Sequence, residues 1–85
     1  MRVEYSRHFV KTFKKCPKKI QVAFRANLAV FLSDEFAAKL NNHALAGEYF
    51  GYRSINISGD WRAVFEQNND GAYFVTLGTH SQLYG

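Results

Sequence analysis

Apolar side chains recur along this chain with two different periods, and the change falls near residue 49. Before it, Phe9, Val10 and Phe13, then Ile20, Phe24, Leu28 and Phe31, return every three or four positions, the spacing of one helix face. Ser6 is placed to cap the first helix, because its hydroxyl accepts from a free first-turn N–H. Pro17 restricts the residue before it, so that helix is expected to end near Cys16. The same proline suits the first turn of a second helix, expected to run to about Ser33. The pattern predicts an αα-hairpin whose turn is the basic stretch KKCPKK. Residues 34–48 are less regular: FAAKL predicts a helical turn and NNHALAG a loop.

After residue 49 the apolar positions alternate. YFGYRSINI, WRAVFEQ and AYFVTLGT each read as a strand. Ser58-Gly59-Asp60 turns the chain between the first two. Asn68-Asn69-Asp70-Gly71 is a hairpin signal, because these residues tolerate positive φ. Met1–Tyr5 also alternates and predicts a short strand. The expected fold class is α+β: an N-terminal helix hairpin packed on a small antiparallel β-sheet, with residues 1–85 as one domain.

Strand parity then sorts the side chains into two faces. Ile55 and Ile57, Trp61, Ala63 and Phe65, and Tyr73, Val75 and Leu77 form an apolar set expected to cover the helices. The opposite set gathers Ser54, Asn56, Asp60, Arg62, Thr76 and His80, with Phe74 and Gly78 among them. A wet face is ordinary for an antiparallel sheet. This one collects a carboxylate, a guanidinium, an imidazole and an amide, and Gly78 is expected to leave open space beside them.

Composition changes the picture in three ways. A chain this short buries only about 60–65% of the surface its unfolded form exposes, so the core needs large side chains; eight Phe, five Tyr and one Trp supply them. The single cysteine, Cys16, rules out an internal disulfide and fits a reducing cytoplasm. No apolar run is long enough to span a bilayer, no signal-peptide pattern follows Met1, and no Cys/His group has ligand spacing, so neither membrane, metal nor cofactor is expected. Charge is uneven. Residues 1–40 carry nine basic groups (Arg2, Arg7, Lys11, Lys14, Lys15, Lys18, Lys19, Arg25, Lys39) against Glu4, Asp34 and Glu35. Residues 41–85 carry Arg53 and Arg62 against Glu48, Asp60, Glu66 and Asp70. A clustered positive surface attracts polyanions, nucleic acid above all, although a solvated helix face has the same composition.

Two stretches carry a resemblance. HALAGEYFGYRSINISGDWRAVF, residues 43–65, has H-x-L-x-G, G-Y-R and D-W signals in order, and GTHSQLYG, residues 78–85, has a terminal G-T-H-S-x-L-[FY]. With these four signals in register the chain resembles the RelE/ParE superfamily of type II toxin–antitoxin toxins, closest to the YafQ-like mRNA interferases. The motifs cover the second half; the first half agrees in its strand and helix hairpin. The resemblance implies a RelE-like fold and an endoribonuclease that cuts mRNA, typically on the translating ribosome, with mRNA, ribosomal RNA and a cognate antitoxin as partners and the cytoplasm as its place. It implies catalytic or substrate-positioning roles at His43, Asp60, His80 and Tyr84, and a phosphate contact at Arg62. One departure stands out: Asn56 lies where YafQ-like toxins carry histidine, and an amide is neither acid nor base near neutral pH.

Metal-free cleavage of RNA needs a base for the 2′-hydroxyl, an acid for the leaving 5′-oxygen, and donors against the phosphorane. On that scheme Arg62 faces the phosphate, since its planar fork presents paired donors. His80 is the general acid or a second stabiliser. Asp60 and His43 compete for the base, or Asp60 orients an imidazole. Tyr84 stacks on a base or helps place the phosphate, with Leu83 anchoring the chain end and His80 and Tyr84 on either side of it. Lys11, Lys14, Lys15, Lys18 and Lys19 are the candidate contacts to ribosomal RNA. Each residue also has a plainer reading, as a turn residue (Asp60), a solvated strand residue (Arg62), a cap (His43) or a packing tyrosine (Tyr84). Two rival functions share the fold: a ParE-like poison of DNA gyrase, and an inactive relative that retains antitoxin binding.

Overall fold

A computed structural model describes residues 1–85. Its elements are β1 (Arg2–Tyr5), α1 (Arg7–Lys15), α2 (Lys18–Ser33), a 3-10 turn at Ala38–Leu40, β2 (His43–Ala44), a second 3-10 turn at Gly47–Tyr49, β3 (Arg53–Ser58), β4 (Trp61–Gln67), β5 (Gly71–Thr79) and α3 (His80–Tyr84). The helix hairpin forms as the sequence predicts. Ser6 Oγ accepts from the Phe9 N–H and donates to the Val75 carbonyl, so one hydroxyl caps α1 and ties it to β5. Pro17 offers no side-chain cap to α2; instead Gln21 Nε2 donates to the Phe13 and Cys16 carbonyls at the end of α1. Burial pushes the Cys16 thiol up, and its Sγ donates to the Thr12 carbonyl. No helix is long and apolar enough to cross a membrane.

The strands β3, β4 and β5 form the expected antiparallel meander, and the sheet order is β1-β5-β4-β3-β2. Several details differ from the sequence reading. First, β1 pairs with β5 in parallel, so the sheet is mixed. Second, NNHALAG is not all loop: His43 and Ala44 pair with Ser54 and Arg53 as a two-residue edge strand. The stretch before β3 is also shorter as a strand than expected. A tight turn occupies residues 47–52, fixed by Phe50 N–H to Gly47 O and Tyr52 N–H to Tyr49 O bonds.

Two β-bulges set which side chains reach the core. In β5 the register passes from Val64↔Thr76 to Phe65↔Phe74, leaving Val75 as the extra residue. The parity of residues 72–74 is thereby reversed. Phe74, expected on the polar face, is fully buried among Phe9, Phe24, Phe31 and Phe65, and Tyr73, expected in the core, is 36% exposed. In β3 the extra residue is Ile57. Asn27, buried on α2, donates Nδ2 to the Asn56 and Ile57 carbonyls there, which would otherwise lose ladder partners.

Candidate functional site

The register places the candidate side chains on the sheet face opposite the core; α1 reaches that face at β5, where His8 Nε2 lies 3.2 Å from Thr76 Oγ1. His43, Ser54, Val64 and Thr76 are paired neighbours in one row across β2–β5. Asn56, Arg62 and Gly78 form the next row. Strands lie about 4.8 Å apart and alternate residues about 7 Å along, so His43 stands roughly 10 Å across the sheet from Arg62 and about 7 Å along it. The other ladder, Ala44–Arg53–Phe65–Phe74, belongs to the core side. Arg53 escapes that core sideways: its Nε donates to Asn42 Oδ1 at 2.8 Å and its guanidinium lies over the Phe36 ring. It braces β2 rather than the polar face.

The chain end forms a helix. Thr79 Oγ1 accepts from the Gln82 N–H and Gln82 Oε1 accepts from the Thr79 N–H, a reciprocal capping box. Leu83 is buried and anchors α3, as expected. His80 and Tyr84, however, do not flank that anchor. Four residues apart on a helix, they share one side, and their ring centroids are 4.8 Å apart. Gly78 does not open space either. It is buried, and a Cβ there would stand 3.0 Å from Gln82 Oε1, so the glycine is what lets α3 lie against β5.

The β3–β4 turn and α3 are joined directly: the His80 N–H donates to the Asp60 carbonyl at 2.8 Å. Arg62 curls over the same turn, with Nη1 donating to the Gly59 and Trp61 carbonyls. These bonds hold the guanidinium over the β3–β4 turn and leave its Nη2 and Nε donors unpaired within the protein. Asp60 is exposed and its carboxylate forms no ion pair, so the structure gives it no orienting role. His43 is exposed and its ring is fixed: Nδ1 lies 2.7 Å from the Asn41 carbonyl. A carbonyl only accepts, so Nδ1 carries the proton and Nε2 of the neutral ring keeps its lone pair. Asn41 reaches this position through a left-handed backbone, φ 47°. Asn56 is tied to the β2 side of this face, where its Nδ2 donates to the Lys39 carbonyl.

The structure brings Asp60, Arg62, His80 and Tyr84 to one end of the face and sets His43 apart across it. Three buried polar atoms have no hydrogen-bond partner, Ser54 Oγ, Asn56 Oδ1 and Tyr84 OH, and all belong to this face or to the helix beside it. Such atoms cost about 1–3 kcal/mol each, so stability does not account for them. Sequence reasoning missed the aromatic wall of the site. Tyr49 packs edge-on against both Tyr52 and Tyr84, which continues the contact to His80. Burial, the Glu48 carboxylate and Tyr84 together push the Tyr49 phenol up. No group of three or more His, Cys, Asp or Glu side chains is arranged to hold a metal ion.

The five hairpin lysines are all exposed, and the single ion pair of the molecule joins Arg2 to Glu4. From Arg7 to Ser33 there is no acidic residue. Between α1 and α2 lies an open groove of about 640 Å³, floored by Phe9, Phe13, Phe24 and Leu28 and edged by Lys14 and Arg25.

A family model described as "Bacterial toxin of type II toxin-antitoxin system, YafQ" matches residues 1–85. No curated protein matches the sequence. Among solved structures, the chain is similar to YafQ from E. coli strain BL21(DE3), with a TM-score of 0.82 and 23% identity over 99% of this chain and 98% of that one. It is similar to the E. coli DinJ-YafQ toxin-antitoxin complex at a TM-score of 0.79, with 24% identity over 99% and 97%. It is also similar to the RelB-RelE antitoxin-toxin complex from Methanococcus jannaschii at 0.74, with 22% identity over 95% and 94%. These likenesses establish a shared RelE-like fold.

Proposed function

This chain belongs to the YafQ family of bacterial type II toxin–antitoxin toxins, and from that premise we propose that it is an endoribonuclease that cuts mRNA on the translating ribosome. The observation that carries this reading is the junction of Asp60, Arg62 and His80. The His80 backbone is bonded to Asp60 and the Arg62 guanidinium to the same turn, with a second imidazole, His43, across the face. A scissile phosphate over Arg62 would receive the free Nη2 and Nε donors, which oppose the charge of the phosphorane. Nε2 of His43 takes the 2′-hydroxyl proton, and the 2′-oxygen attacks phosphorus. The bond to the 5′-oxygen breaks, His80 delivers a proton to it, and a 2′,3′-cyclic phosphate remains. In this reading His43 on β2 and His80 after β5 approach the phosphate from either side of β4, as in-line attack and departure require. Tyr84 packs behind His80 and fixes its ring. Asp60 remains exposed at the turn, a second candidate base.

The test is induced expression in a bacterial host with primer extension on a reporter mRNA. In-frame cuts accompanying growth arrest support the reading. Arrest with gyrase-dependent DNA breaks and intact mRNA would replace it with the ParE-like one, and no arrest would leave an inactive relative.

The basic hairpin supplies the ribosome contact in this reading. Lys11, Lys15, Lys18 and Lys19 have no acidic partner and present charge without a sequence-reading element, which suits RNA phosphates. Replacing Lys11, Lys15 and Lys18 together with alanine is expected to weaken ribosome binding and to lower the slope of log K against log salt by about 2. An unchanged slope returns these lysines to simple solvation.

The α1–α2 groove is the proposed seat of the antitoxin. Its apolar floor and wholly basic surroundings fit an amphipathic helix with acidic edges. Arg25 lies 5.2 Å over the Phe13 ring at its edge. Arg25→Glu is expected to raise the antitoxin Kd about tenfold in calorimetric titration, with the unfolding midpoint unchanged. An unaltered Kd moves the antitoxin elsewhere.

A further inference from the structure

Phe50 has 81% of its surface exposed, more than any other large apolar side chain here. A single exposed ring is ordinary on a protein surface. This one is held out by a rigid device. The Phe50 N–H donates to Gly47 O and the Tyr52 N–H to Tyr49 O, and Gly47 and Gly51 on either side take positive φ, 67° and 96°. Neither glycine position suits a side chain, so the turn is specified, not incidental. Its neighbour Tyr49 touches Tyr84, and Tyr84 touches His80, at 5.7 and 4.8 Å between ring centroids. Phe50 therefore stands at the outer edge of the aromatic wall that ends at the proposed acid.

Charge decides what such a residue can do. Residues 45–52 contain one charged group, Glu48, and no base. A loop with that balance repels phosphate, while an aromatic face attracts any unstacked nucleobase. We propose that Phe50 is a stacking platform for a base of the mRNA next to the scissile phosphate, and so a positioning residue for the substrate. The proposal rests on the RNA-cleaving reading of the site. Pairing a stacked base with the Arg62 contact would fix the nucleotide at two points, base and phosphate. Stacking tolerates any base, so Phe50 adds grip without codon choice.

The experiment is single-turnover cleavage of a short mRNA on programmed ribosomes with purified toxin variants, with binding to the same ribosomes measured by pelleting. Phe50→Ala is expected to raise the half-saturating toxin concentration about tenfold and to leave the maximal rate within twofold of wild type. Phe50→Trp should restore tight binding, and Phe50→Leu, of similar bulk but without a π-face, should not. An mRNA with abasic residues around the cleavage site should bind wild-type toxin as weakly as Phe50→Ala binds the intact one, and the two losses should not add. Equal half-saturation for wild type and Phe50→Ala overturns the proposal, as does rescue by leucine. So does a Phe50→Ala loss confined to antitoxin affinity. If wild-type toxin binds ribosomes but cuts nothing, the nuclease reading fails while the binding ratio still decides the role of Phe50. If it neither binds nor cuts, both fall.

Discussion

His80→Ala is expected to slow single-turnover mRNA cleavage by about 10²–10⁴-fold while the protein stays folded, the range for losing one positioned proton donor. The side chain makes no hydrogen bond, and its one close ring neighbour is Tyr84. The bond that secures α3 to the β3–β4 turn comes from the His80 backbone N–H, which alanine keeps. Unfolding free energy should then fall by no more than about 1 kcal/mol. Loss of a general acid can be told from loss of a phosphate contact by changing the leaving group. With a bridging 5′-sulfur in place of the 5′-oxygen, the departing thiolate needs no proton. On that substrate His80→Ala should cut nearly as fast as wild type if His80 is the acid, and remain slow if it only opposes negative charge. An alanine variant that cleaves the ordinary substrate at the wild-type rate would remove His80 from the mechanism.

What was legible in the sequence followed from local chemistry. Ser6, Pro17 and the apolar stripe of α2 set the hairpin because each acts within a turn of its own position. The polar set of Asn56, Arg62 and Thr76 was also readable, since alternation holds on β4 and on the last part of β5. The parallel seat of β1 was not, because a strand of four residues names no partner. The α3 helix has a local signal of its own, since Thr79 and Gln82 stand at capping-box spacing. Opposite sides of Leu83 for His80 and Tyr84 suit an extended chain end, whereas helical spacing puts them together. The tautomer of His43 was out of reach, since it depends on where the Asn41 carbonyl points. So was the wall formed by Tyr49, Tyr52 and Tyr84, which joins a loop to the chain end.

The bulge at Val75 is the least legible feature and the one on which the core depends, and it yields the largest expected effect on stability. Phe74→Ala should cost about 3–5 kcal/mol in urea unfolding, while Tyr73→Ala should cost about 1 kcal/mol or less. Strict alternation along AYFVTLGT gives the opposite order, because it sends Tyr73 inward with Leu77 and Phe74 outward with Thr76. In the structure Phe74 has no exposed surface and its ring meets Tyr5, Phe9, Phe24, Phe31 and Phe65, with centroids 5.1–5.9 Å away. It joins α1, α2 and β4 in one cluster, so its removal leaves a cavity that no single neighbour can fill. A domain of this length has roughly 4–13 kcal/mol in total, so the alanine variant would sit near its unfolding threshold. Tyr73 lies opposite Glu66 on the outer part of the ladder and covers little. Equal costs at the two positions, or a larger cost at Tyr73, would place the extra residue elsewhere in β5. Thr76 and Gly78 keep their face with Arg62 in either case, because alternation holds from Thr76 onward; what the bulge decides is which aromatic ring fills the core. The stability of one buried phenylalanine is thus a test of the β5 register, and of the core built on it, made without any substrate.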